Sequence, residues 1–273
     1  MDIKSIIKQD INYTFKNNVY CFIDNDDDRP QWSKNLNTYL VNNPKTLQLK
    51  RNYTFYRNNV KNDLKKSKLF QYLSESGGII VDLASGPSGY FSPIFDYMKE
   101  DGIFVVTDAC KAIINAHQRV NKDQRFYIFD VDLGKVLPFN DGSIDAFSGN
   151  LLNNVDNYRN LLFEISRCLK PGGRFGLIEW FYEKDSKTYE YLKERNAVYS
   201  SLEHFIGVCK EVGLEYLESQ VYKEIVGKAN QGDLLPIGEN DKCLETIVYL
   251  KKKTIKRLNF RCCNQLSMVM KTH

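Results

Sequence analysis

The chain has 273 residues, with 38 Lys and Arg against 34 Asp and Glu, a formal net charge of +4, and seven cysteines. This length suits one large α/β domain or a core domain with a modest cap, and the charge is too small to indicate a nucleic-acid partner. The cysteines lack Cys-x-x-Cys spacing, no signal segment precedes them, and no window nears the roughly eighteen consecutive apolar residues of a membrane span, so a cytoplasmic protein with reduced thiols is expected.

Residues 1–60 contain no glycine and are dense in Asn, Lys and aromatics, among them Tyr13, Phe15, Tyr20, Phe22, Trp32, Tyr39, Tyr53, Phe55 and Tyr56. They lie outside any strand and helix alternation and read as an N-terminal helical cap, whose aromatics either pack it onto a core or wall a ligand cleft. Asp24, Asp26 and Asp28 alternate like the first ligands of a calcium loop. The sixth and twelfth places hold Arg29 and Asn35, however, where Gly and Glu are needed, so a solvated loop ending at Arg29-Pro30 and no metal site are expected. The spacing of Leu64, Leu69, Phe70 and Leu73 predicts a helix over about 61–73 with one buried face.

From Gly77-Gly78 onward strands and helices alternate. Ile79, Ile80, Val81 and Leu83 form a β-branched run suited to a fully covered parallel strand. It ends at Asp82 and the small-residue turn Ala84-Ser85-Gly86-Pro87-Ser88-Gly89, where the backbone can fold sharply and approach a ligand. Ser92-Pro93 starts a helix with Ile94, Tyr97 and Met98 inward. A second strand, 103–108, ends in Asp108, placed either to accept hydrogen bonds from ribose hydroxyls or to cap the helix predicted over 109–120. Further strands are predicted at 125–129 and 144–150, then a helix from Asn157 to Leu169 capped by Asp156. A helical stretch follows from 186 to 212, with Ser200-Ser201 as the place where it would break, and then strands at 214–226 and 246–251.

Four ordered motifs give the chain a resemblance. Val81-Asp82-Leu83-Ala84-Ser85-Gly86-Pro87-Ser88-Gly89, Asp108, Leu137-Pro138-Phe139 through Asp145, and Leu169-Lys170-Pro171-Gly172-Gly173-Arg174-Phe175 resemble the class I S-adenosylmethionine-dependent methyltransferases. Their small-molecule branch, which includes the ubiquinone and menaquinone enzymes, is the most similar. The resemblance covers roughly residues 75–181. It implies a doubly wound α/β fold with a mostly parallel seven-stranded sheet and an antiparallel final strand. It divides the chain into a cap at 1–60, a Rossmann-like domain at 61–258 and a C-terminal tail at 259–273. By this resemblance the cofactor is S-adenosylmethionine, held by Asp82, Ala84, Ser85, Gly86, Pro87, Gly89, Asp108, Ala109, Asp132, Leu133 and Asn150. Asp130 and Asp132 both stand where the adenine-binding acid falls; Asp132 is taken for that role, with Leu133 facing the ring and Asp130 ending the third strand. Asn150 contacts the cofactor or bonds the turn that follows it. Ala84 and Ser88 depart from the pattern, where glycines are commoner.

Methyl transfer from a sulfonium is an in-line displacement, so alignment and exclusion of water are the main tasks and a base is optional. The histidines are His117, His204 and His273. His204 alone lies in the half expected to wall the substrate, and is the candidate catalytic base, against the plainer role of a surface helix residue. The fourth strand lacks the Asn-Pro-Pro-aromatic signature of nucleic-acid amino-methyltransferases, which favours a small-molecule acceptor. Glu179, Trp180 and Tyr182 end the fifth strand and are placed to line the cleft. Two other readings share the turn: a nicotinamide-dependent dehydrogenase, and a cofactor-binding subunit without catalysis. No motif fixes the acceptor or the oligomeric state.

Overall fold

The computed structural model describes residues 2–47, 49–60, 62–120, 123–227 and 236–254. The predicted tail at 259–273 lies outside the described residues, as do Cys262, Cys263 and His273.

The central element is a nine-stranded sheet. In chain order its strands are β1 (Thr14–Lys16), β2 (Val19–Cys21), β3 (Ile79–Leu83), β4 (Ile103–Asp108), β5 (Phe126–Asp130), β6 (Ile144–Asn150), β7 (Leu169–Tyr182), β8 (Leu214–Val226) and β9 (Lys242–Lys252). In space they run β1-β2-β5-β4-β3-β6-β7-β9-β8. The strands from β2 to β7 are parallel, whereas β9 is antiparallel to both neighbours and β1 to β2. Every residue of β3 and β4 is buried, as strands covered on both faces require. Alternate residues of β3 serve opposite layers. Ile79, Val81 and Leu83 join Leu161, Leu162, Ile165 and Phe205 on one side, and Ile80 joins Leu69, Phe70 and Leu73 on the other.

The helices are α1 (Gln31–Asn42), α2 (Leu49–Val60), α3 (Leu64–Ser74), α4 (Lys111–Val120), α5 (Tyr158–Cys168), α6 (Lys187–Glu194) and α7 (Leu202–Glu211). Asp63 caps α3 by accepting the Lys66 N–H at 3.1 Å. Close approach of α3 to the sheet is possible because β7 carries Gly176, where a Cβ would lie 2.6 Å from Leu69 Cδ1.

Several expectations are corrected. The sheet has nine strands because the N-terminal segment, expected to be wholly a cap, first adds a hairpin to its edge: β2 lies along β5, with Val19 opposite Ile128. Asn17 and Asn18 turn this hairpin with φ of 52° and 64°, the left-handed pair that matches strand twist and that Asn tolerates. Tyr53, Phe55 and Tyr56 lie within α2, the helix just ahead of α3. Leu64, expected on the buried face of α3, is 83% exposed because it is the first helical residue, on the rim. The segment at Ser92–Asp96 is a 3-10 turn. The cap position of α5 is Asn157, in the left-handed region, rather than Asp156. The stretch from 186 to 212 divides into α6 and α7, the second capped by Ser201. No helix among the described residues is long and apolar enough to cross a membrane.

Candidate functional site

Strand order reverses around β3 and β6, and open α/β sheets bind ligands beyond the carboxyl ends of strands at such a point. A cavity of about 400 Å³ opens there. Its walls include Asp82, Ala84, Ser85, Gly86 and Pro87 from the end of β3 and its turn, Asp108 and Ala109 after β4, Asp132 and Leu133 after β5, and Asn150 at the end of β6. Trp32, Ser33 and Leu36 of α1 close the opposite side, so the cap does cover the cleft.

Gly89, the remaining residue expected at the cofactor, does not line the cavity. It sits under α2 with φ of +58°, and a Cβ there would come within 1.8 Å of the Tyr53 ring. Glycine at this position therefore serves to seat the cap. Tyr53 in turn places its hydroxyl 2.7 Å from His117 Nδ1. His117 is fully buried on α4 and its pKa is depressed to about 4 because burial disfavours the imidazolium.

The acids divide by function. Asp108 Oδ2 accepts the Gly86 N–H at 3.0 Å and Oδ1 the Cys110 N–H at 2.8 Å, so one carboxylate both caps the start of the α4 segment and pins the turn. Asp82 accepts from Ser148 Oγ at 2.8 Å. Burial pushes Asp82 up to about 7, against the pull of the Ser148 and Ser85 hydroxyls and with a further push from Asp108. Burial likewise pushes Asp108 up to about 6, offset in part by the Cys110, Gly86 and Ala109 N–H groups. Two buried acids, Asp82 raised further by Asp108 and Asp108 by Asp130, complement a ligand that brings a positive charge and hydroxyl donors. Asp132 Oδ1 accepts the Gly134 N–H at 2.9 Å, which fixes its carboxylate on the wall. Asp130 does not line the cavity, because it closes a bidentate pair with Arg29, both contacts 2.7 Å, and is buried.

Arg29 was expected in a solvated loop. Instead its side chain is 9% exposed, and it also donates to the Ala109 carbonyl at 2.8 Å and to Asp26 at 2.9 Å. Asp26 is further paired with Lys111 at 2.6 Å, so this acid is a link in a cap-to-core ion network, and no group of three potential metal ligands occurs among the described residues.

His204 is not brought to this cavity. It lies on α7 and lines a separate, open depression with Lys184, Tyr189 and Glu211. Glu179, Trp180 and Tyr182 do not reach the cavity either. The buried Glu179 carboxylate accepts from the Leu152 N–H at 3.1 Å and the Tyr158 hydroxyl at 3.0 Å, fastening the loop after β6, in which Leu151 has φ of 55°. Trp180 Nε1 donates to Glu245 at 3.1 Å.

Residues 81–177 match a methyltransferase domain family. The chain is 28% identical over 155 residues to an uncharacterized chloroplastic methyltransferase of Arabidopsis thaliana, over 50% of this chain and 43% of that protein. It is 26% identical over 168 residues to sterol 4-C-methyltransferase strm-1 of Caenorhabditis elegans, over 61% of this chain and 47% of that one. The chain thus spans less than half the length of the curated relatives it matches. A putative methyltransferase from Bacillus halodurans shares the fold with a TM-score of 0.52 at 16% identity, over 69% of this chain and 98% of its own. The YcgJ protein of Bacillus subtilis does so with a TM-score of 0.50 at 16% identity, over 68% and 97%. Residues 81–177 thus match a methyltransferase domain family, the α/β fold is shared with these solved structures, and the cofactor of this class of domain is S-adenosylmethionine.

Proposed function

We propose that the protein transfers the methyl group of S-adenosylmethionine to a small-molecule acceptor, as in the branch that includes the quinone methyltransferases. The observation that carries this is the joint presence of Asp82, the turn, Asp108, Asp132 and Asn150 on the walls of one cavity. In this reading Asp108 takes the ribose hydroxyls and Asp132 the adenine amino group, with Leu133 against the ring. Gly86 and its neighbours let the backbone approach the methionine part, and Asn150 faces the methyl end. The sulfonium supplies a methyl group already activated for displacement; the chain's task is to hold donor and acceptor in line and keep water out. Within residues 1–60 the helices α1 and α2 act as cap, 61–258 act as the catalytic domain and 259–273 as a tail, and the reaction takes place in the cytoplasm.

Calorimetric titration with S-adenosylhomocysteine tests the donor. The native protein is expected to bind it, and Asp108→Ala to lose more than about tenfold in affinity, since it removes charge-assisted hydrogen bonds. A folded native protein that shows no binding heat overturns the proposal.

A further inference from the structure

A second cavity, of about 260 Å³, lies beside the first, and Tyr90 lines both. It is enclosed by α2, α3 and β8, with Phe55, Tyr56, Phe70, Tyr90 and Tyr222 as its aromatic walls and Lys66 as its cation. The Tyr56 and Tyr90 rings are 5.2 Å apart, and the Tyr56 phenol interacts with Ser88 of the donor turn. The partition between the two cavities is therefore made of side chains that touch the donor's turn.

Two polar groups in this cavity lack adequate partners. The Tyr90 hydroxyl is buried with no hydrogen bond. The Lys66 ammonium stands over the rings of Tyr222 at 4.8 Å, Tyr90 at 4.9 Å and Tyr56 at 6.0 Å, while Asp63 Oδ2 is 3.8 Å away, beyond hydrogen-bond reach. Asp63 itself is occupied, accepting from the Lys66 N–H and from the Tyr222 hydroxyl at 2.8 Å. Burial lowers the proton affinity of Lys66, and Asp63 and Glu245 partly restore it. A desolvated amine and an unpaired phenol facing one aromatic-walled space call for an acidic oxygen on a flat, apolar ligand.

Size narrows the class. An apolar cavity of about 150 Å³ takes benzene. A space of about 260 Å³ thus has room for one substituted ring.

We propose that this cavity is the acceptor site, that the acceptor is a small aromatic hydroxyl compound, and that Lys66 holds its oxygen for attack. The proposal rests on the methyl-transfer reading above. The acceptor's O–H proton passes to water as its oxygen docks on the Lys66 ammonium, and the phenolate then attacks the sulfonium methyl. An O–CH3 bond forms and the S–CH3 bond breaks with its electron pair left on sulfur, while Lys66 stays protonated throughout. Tyr90, which lines both cavities, is a positioning residue, its hydroxyl donating to the same oxygen.

The test uses 4-nitrophenol as probe, because its absorption reports its own ionisation whether or not turnover occurs. With S-adenosylhomocysteine present, the native protein is expected to bind it in saturable fashion and to lower its pKa by about one unit, equivalent to a tenfold preference for the phenolate. Lys66→Met should abolish the shift and Lys66→Arg retain it, with homocysteine-product affinity unchanged in both; a purely structural Lys66 would not separate the two variants in this way. Saturable binding that is unaffected by Lys66→Met, or no binding by protein that does bind S-adenosylhomocysteine, overturns the acceptor site. Failure to bind S-adenosylhomocysteine overturns the donor reading instead, and the 4-nitrophenol titration without it then decides the pocket alone.

Discussion

The turn after β3 and the cap at its back solve the same packing problem with opposite means. In the turn, chemistry is local: Asp82, Ala84, Ser85 and Gly86 are neighbours in sequence and together form one wall of the cavity. In the cap, the contacts that seat it are not local. Arg29 meets Asp130, Tyr53 meets His117, and Trp32 covers the turn, each across a long stretch of chain. The donor half carries its function in a motif, whereas the cap carries it in contacts, which implies that substitutions in the cap act first on docking and only then on binding.

The largest expected effect breaks that distinction at Arg29. Arg29→Ala leaves Asp130 buried without its partner and should cost about 3–5 kcal/mol in denaturant unfolding. A loss near zero would mean that the cap is peripheral to stability. Next is Gly89→Ala, whose Cβ meets the Tyr53 ring and whose φ is unfavourable for Ala. Overpacking of this kind should cost about 1–3 kcal/mol. A double mutant with Tyr53→Ala should recover part of the loss if the contact is the cause, and an additive cycle would assign the cost to the backbone alone.

A third test uses pH. Asp82 and Asp108, pushed up to about 7 and about 6, lose protons as pH rises, and only the ionised carboxylates attract a cation. S-Adenosylmethionine affinity should therefore increase between pH 5.5 and 7.5, by about tenfold, and then level off. S-Adenosylhomocysteine, without the sulfonium charge, should respond less; equal slopes in calorimetry would place both acids away from the sulfonium. The smallest effect is at Ala84, which holds φ of 47° where glycine is commoner. Ala84→Gly relieves backbone strain but loosens the unfolded chain, so a gain below about 1 kcal/mol in thermal unfolding is expected.

The parallel core was legible because fully buried strands such as Ile79–Leu83 announce themselves by composition, and the alternation from there to Tyr182 leaves few topologies. The acids at the ends of β4 and after β5 were legible for a similar reason, since position relative to a strand end is a local property. Arg29 was not, because a basic residue beside four acids reads as solvated until the fold supplies Asp130. The β1 and β2 hairpin was missed although Asn17-Asn18 between two aromatic-bearing triplets is a turn signal; three-residue strands are too short for alternation to register. His204 and His117 show the remaining gap. Sequence could place neither ring, since only packing decides that His204 lines a separate depression on α7 and that His117 is sealed beneath Tyr53.

The pairing of β2 with β5 also bears on how the chain is made. Val19 has its sheet neighbour in Ile128, and Ile7 bridges to Phe139, so these segments find their partners only after β3, β4 and β5 have followed them out of the ribosome. At about 5–20 residues per second, that is a wait of several seconds or more. The aromatic-rich, glycine-free character of the N-terminal segment then acquires a second meaning: for that interval it is the part of the nascent chain with most reason to recruit a chaperone.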